Sequence, residues 1–222
     1  MLYYSGRNPD LPMMKTIRER QINQAKKHDV MSIGVTAAPV KGFDISIHQP
    51  RPGGEATLFK AIQHGLKYVS DGSMVYLCED DVLYPDTYWQ GWLNQYAFHF
   101  PDKWEDCWCY DLNVVNLCNK GFFQHFTTRE SCYLSCSWAY IDVMKDYVAR
   151  KIKDRLDPNV KQFSYEPGGK GWKVNYMSGA VACVDIRHIG NTTWRHEGQP
   201  LFQNEYGWGS ASELIEKYHV EE

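Results

Sequence analysis

The chain predicts a single α/β domain with a mixed, mostly parallel sheet flanked by helices. Three observations lead there. Across the first ninety residues, strand-like and helix-like hydrophobic patterns alternate. Residues 74–78, MVYLC, form a short and wholly apolar run of the kind a parallel sheet buries on both faces. A chain of 222 residues, 43% hydrophobic and 23% charged, has room for one large core, which at this size hides roughly 70% of the unfolded surface. The mixed, non-repetitive order excludes collagen-like, low-complexity and coiled-coil architectures.

Leu2-Tyr3-Tyr4 is a short apolar run closed by Ser5-Gly6-Arg7-Asn8-Pro9, and Pro12 suits the first turn of a helix reaching about Lys27. Met14, Ile17, Ile22 and Ala25 supply its inward face. Residues 30–35 predict a second strand, and 43–47 alternate as a third. After the turn-rich 49–54 stretch, Leu58, Ile62, Leu66 and Val69 recur at helical spacing over 55–70, and the apolar strand 74–78 follows. Further on, 108–117 and 121–126 predict strands, with a hairpin turning at Asn119-Lys120-Gly121. Ile141, Met144, Val148, Ile152 and Leu156 mark a helix over 138–156 that Pro158 ends. Residues 161–175 are rich in Gly and Pro and predict a loop; 180–186 predict a last strand and 210–218 a closing helix. Neither a repeat nor a clear linker divides 1–222.

Charge narrows the partners. The 24 basic and 27 acidic residues leave a net −3, which supplies no overall attraction to nucleic acid or to an anionic membrane. With no apolar run long enough to span a bilayer and no basic start before an apolar stretch, the expectation is a soluble cytoplasmic chain without membrane attachment. An odd set of 7 cysteines favours free thiols over a disulfide framework. Cys107-x-Cys109, Cys118 and Cys132-x3-Cys136 match no standard zinc spacing. The 15 Tyr, 9 Phe and 8 Trp are more than a core needs and are compatible with stacking platforms.

The most informative stretch is Glu79-Asp80-Asp81, set directly after the buried strand and followed by Val82-Leu83-Tyr84-Pro85. Adjacent carboxylates at the end of a buried strand repel one another, and a cation or positively charged ligand offsets that cost. The carboxyl edge of an open α/β sheet is also where ligands bind. Hard oxygen ligands there suit Mg²⁺ or Mn²⁺. An acidic turn capping the next helix is the other reading of the same residues.

Strand, acidic triplet and Val-Leu-Tyr-Pro together resemble the Asp-x-Asp signature of nucleotide-sugar-dependent glycosyltransferases of the GT-A fold, a Rossmann-type sheet; here Glu stands first. The likeness in element order runs over about 1–90 and returns near the C-terminus, and the small size is similar to phage or bacterial members. It implies a nucleotide-sugar donor bound by 1–90, an acceptor bound by 91–222, and a Mn or Mg ion held by Glu79, Asp81 and the late His188. It further implies that Asp81 serves catalysis and that Tyr4, Ser5, Arg7, Gly54, Glu79 and Asp80 contact the donor, with Tyr4 stacking on the base and Arg7 on phosphate. His196 and Glu197 form a second late pair, and Arg187 or Arg195 suits the departing diphosphate. Glu130, in the polar stretch 127–131, is the candidate general base; Asp142 equally fits a helix first turn.

The resemblance implies an acceptor hydroxyl on a saccharide or on a hydroxymethylated pyrimidine in DNA. For DNA, Lys145, Arg150, Lys151, Lys153 and Arg155 offer a basic helix face, and Trp104, Trp108, Phe122 or Phe123 a stack for a flipped base. A non-catalytic carbohydrate- or nucleotide-binding module is the reading from another class. No G-x-G-x-x-G follows the first strand, and Gly168-Gly169-Lys170-Gly171 lacks the P-loop Ser/Thr, so dinucleotide oxidoreductases and P-loop ATPases fall away.

Overall fold

The computed structural model describes residues 1–5, 11–50, 57–89, 107–118, 120–125, 134–160, 173–177, 179–187 and 201–220. In chain order the first elements are β1 (Leu2–Ser5), α1 (Pro12–Lys27), β2 (Ile33–Thr36), β3 (Ile45–His48), α2 (Thr57–Leu66), β4 (Met74–Cys78) and β5 (Val82–Leu83). Then come β6 (Cys107–Asp111), β7 (Val114–Cys118), β8 (Phe122–His125), β9 (Ser137–Tyr140), α3 (Ile141–Leu156), β10 (Lys173–Met177) and β11 (Cys183–Ile186). The chain closes with β12 (Leu201–Phe202), β13 (Asn204–Glu205), β14 (Gly209–Ser210) and α4 (Ala211–Tyr218).

A 7-stranded sheet in the order β10-β6-β9-β4-β1-β2-β3 forms the body. Every pairing in it is parallel except the two made by β9, which runs antiparallel between β4 and β6. The centre is closed on both faces: Leu2, Tyr3, Leu77 and Cys78 have no exposed surface, which is why their strands contain so few polar residues. Helix α2 lies directly on β1 because Gly65 has no side chain; a Cβ there would collide with a Leu2 methyl. As expected, Met14, Ile17, Ile22 and Ala25 are buried beneath α1, and Ile141, Met144 and Val148 beneath α3; Ile152 is only half-buried, and Leu156, expected on the same stripe, is exposed.

A second, 5-stranded sheet, β12-β8-β7-β11-β5, packs beside the first, and β13 pairs with β14 in a separate hairpin. The sequence does not announce this sheet. The expected strand 108–117 divides at Leu112-Asn113, so that β6 ends in one sheet and β7 begins in the other. The hairpin β7–β8 turns as predicted, Gly121 taking φ 84°. Two expectations are corrected. The helix placed over 138–156 starts at Ile141, its first residues being β9, because Trp138 and Ala139 are buried between neighbouring strands and apolar content alone cannot separate strand from helix. The loop expected over 161–175 gives way to strand β10 from Lys173, held by parallel pairing to β6 rather than by its own sequence pattern. Ser210 caps α4 in a reciprocal capping box with Glu213. Among the described residues no helix is long and apolar enough to cross a membrane.

Candidate active site

Strands β1 and β4 run side by side, with Leu2 opposite Leu77 and Tyr3 opposite Cys78, so both reach the carboxyl edge of the sheet together. The next residues therefore meet in pairs. The Tyr4 hydroxyl donates to Glu79 Oε1 at 2.6 Å, and the Ser5 hydroxyl donates to Asp80 Oδ2. Strand β11 delivers a further acid: Asp185 lies opposite Val82, and the Ile186 N–H donates to the Asp81 carbonyl at 2.8 Å. Asp80, Asp81 and Asp185 are only 4–5% exposed. Burial, then the neighbouring charges of Asp81, Asp80 and Asp185, push Glu79 well above the usual carboxylate range, and the Tyr4 hydrogen bond only partly opposes this.

Helix α1 grips this edge with a polar stripe that sequence reasoning missed. Gln21 Nε2 donates to the carbonyls of Glu79 at 2.8 Å and Val82 at 2.9 Å. One turn on, Gln24 Nε2 donates to Tyr84 O at 3.1 Å and Asp86 Oδ1 at 2.6 Å, and Lys27 pairs with Asp86 at 3.2 Å. One turn back, Arg18 is buried against the Tyr3 hydroxyl, which also lies in the field of Asp80 and Asp81. The signal was present: Arg18, Gln21 and Gln24 recur at three-residue spacing beside the apolar Ile17, Ile22 and Ala25.

A second buried acid ends a strand of the same sheet. Through β9, Cys109 stands level with Tyr76, which places Asp111 level with Cys78. Asp111 Oδ1 accepts from the N–H groups of Asn113 at 2.9 Å and Gly179 at 3.2 Å, and the Cys183 thiol lies 3.9 Å from Oδ2. Burial pushes its carboxyl up to about 7, against those hydrogen bonds.

The chemistry of the acidic edge suits a divalent ion shared with a substrate. Among the described residues no group of three or more His, Cys, Asp and Glu is disposed to cage a metal on its own. Mg²⁺ and Mn²⁺ need no such cage; one or two carboxylates suffice when water and phosphate oxygens complete the shell. The crowd of carboxyls around Glu79 fits that requirement.

Of the residues expected to act, the structure brings together Tyr4, Ser5, Glu79, Asp80 and Asp81. Arg7, Gly54, Glu130 and His188 lie outside the described residues, as do Arg195, His196, Glu197 and Trp104. The expected stacking of Tyr4 on a base is corrected: its ring is packed in the core at 2% exposure and only its hydroxyl addresses the acids. Trp108 and Phe123 have no exposed surface, so neither offers a platform. Asp142 sits in the first turn of α3. The basic face of α3 is partly answered by acids, Lys145 pairing with Asp71 at 3.4 Å and Arg150 with Asp146 at 2.7 Å, while Lys151 stands over the Tyr147 ring. Cys78, Cys107, Cys109, Cys118, Cys136 and Cys183 are buried free thiols, as the spacings suggested.

No family model matches the chain, and no curated protein matches it. Among solved structures, it is similar to the crystal structure of a glycosyltransferase involved in the glycosylation of the major capsid of PBCV-1. The superposition covers 98% of this chain and 98% of that one, with a TM-score of 0.54 and 10% sequence identity. The two chains share a fold: a mixed α/β domain whose sheets are flanked by helices.

Proposed function

We propose that the chain is a glycosyltransferase that moves a sugar from a nucleotide-diphosphate donor to a hydroxyl acceptor, with the donor seated on the acidic edge formed by Glu79, Asp80 and Asp81. One observation supports this above the others: Tyr4 and Ser5 from β1 converge on the acids that follow β4, at the carboxyl edge of parallel strands. A fold shared end to end with a capsid glycosyltransferase adds to it.

In this reading Asp81, with Glu79, would hold Mn²⁺ or Mg²⁺, as the Asp-x-Asp resemblance implies. Such an ion would supply positive charge to offset the negative charge developing on the leaving diphosphate. The chain's own residues do the rest. Tyr4 orients Glu79, Ser5 orients Asp80, and the β11 backbone fixes Asp81 through its carbonyl. Residues 1–90 thus carry the donor, with Asp185 joining from the 91–222 part that we assign to the acceptor. A saccharide hydroxyl is the acceptor in this reading, since the ion pairs on α3 leave less charge for DNA phosphates.

The test is metal-dependent hydrolysis of nucleotide sugars, screened across donors with MnCl2. Asp81→Asn removes charge at constant shape and is expected to abolish turnover with melting unchanged. Turnover close to wild type in that variant, at saturating metal, would refute the assignment.

A further inference from the structure

The acidic edge gathers Glu79, Asp80, Asp81 and Asp185 in a space where the aspartates are nearly inaccessible to water. Such crowding has to be answered from inside the protein if the turn is to hold its shape before any ligand binds. Arg18 is 6% exposed, a depth at which arginine is rare unless its charge is matched. Its direction follows from the helix. Gln21, one turn further along α1, donates to the carbonyls of Glu79 and Val82, so Arg18 projects from the same face towards the same turn. The Tyr3 hydroxyl interacts with the Arg18 side chain and also lies in the field of Asp80 and Asp81.

We propose that Arg18 is the resident counter-ion of the acidic turn, a fixed cation that holds Asp80 and Asp81 in place before donor or divalent ion arrives. It is a positioning residue, acting through those aspartates. The inference gives a role to the site read above as donor-binding, but its test needs neither donor nor turnover.

The experiment is a double-mutant cycle on the full chain, read by thermal unfolding in metal-free buffer with EDTA. Arg18→Met keeps the aliphatic stem and removes the charge, leaving buried carboxylates unanswered; the expected fall in Tm is roughly 10 °C. Arg18→Lys keeps the charge and is expected to retain most of the wild-type Tm. Asp80→Asn alone lowers Tm, yet in the Arg18→Met background it is expected to raise it, because the second change removes the charge the first left exposed. A purely packing role for Arg18 does not produce that reversal. Losses that simply add in the double variant would overturn the proposal. If Arg18→Met is insoluble, soluble yield replaces Tm: a soluble double variant supports the proposal and an insoluble one overturns it. Repeating the cycle with MnCl2 separates the two readings. A wild type unmoved by MnCl2 counts against the metal, and the metal-free cycle still decides on Arg18.

Discussion

Two buried acidic positions end strands of the same sheet at nearly the same level, and the protein treats them in opposite ways. Asp111 closes β6 and is answered locally by the N–H groups of Asn113 and Gly179, with the Cys183 thiol beside it. Glu79, Asp80 and Asp81 follow β4 and are crowded by one another and by Asp185, with hydroxyls from β1 and the buried Arg18 alongside. The first is a solitary acid that pins the corner where the chain leaves one sheet for the other. The second has more negative charge than its hydroxyl and backbone partners answer, the charge that the proposed donor and ion would meet. Burial is common to both, so burial does not distinguish a site from a structural acid; the company it keeps does.

The largest expected effect breaks the comparison directly. Asp81→Asn should cost at least ~10²–10³-fold in metal-dependent donor turnover, whereas Asp111→Asn, which keeps an oxygen for Asn113 and Gly179, should retain turnover within about threefold. Steady-state rates for the pair decide it, and equal losses would erase the distinction.

The next effect is on stability and comes from Asp111 alone. Its carboxyl rises from 3.8 to about 7 on folding, so the folded state prefers the proton. The stability this provides is complete below about pH 4 and drains away as pH rises through 7, a ceiling of about 4 kcal/mol. Asp111→Asn lacks that slope. Urea melts from pH 5 to 8 should show the variant gaining on wild type as pH rises, and parallel curves would contradict the assigned burial.

Smaller still is the clamp from α1. Gln21→Met deprives the Glu79 and Val82 carbonyls of their donor and should cost about 2 kcal/mol by urea denaturation. The outer end of the same stripe sets the lower limit. Lys27 and Asp86 pair at 3.2 Å with side chains 60% and 56% exposed, and Lys27→Ala should change stability by less than about 0.5 kcal/mol. If the two variants cost the same, the stripe does not grade from buried clamp to solvated pair as described.

Sequence reasoning recovered the parallel half of the fold and the acidic turn because both are written locally. MVYLC is short, apolar and followed at once by acids, which favours a buried strand with carboxylates at its end. Other strands were hidden for the opposite reason: β5 and β12 of the second sheet, like β9 and β10 of the first, are held by partners distant in sequence, and strand propensity over two to five residues cannot show that. Within the site, Glu79 and Asp80 were readable but their partners' roles were not. Tyr4 looked like a platform until its ring proved to be core, and Arg18 and Gln21 carried no expectation until the 79–82 turn was found beneath α1.

The antiparallel insertion of β9 has a consequence for biosynthesis. Strand β4 lies beside β9, yet β6 emerges from the ribosome between them. Until Tyr140 is made, the MVYLC strand presents an unpaired apolar edge, the type of edge that recruits foreign strands. Since β6 points the same way as β4, it can also occupy that edge in parallel and must then be displaced. Nascent chains that end between 78 and 140 are therefore the species expected to aggregate first, and the cell's exposure to them is set by how quickly translation crosses that interval.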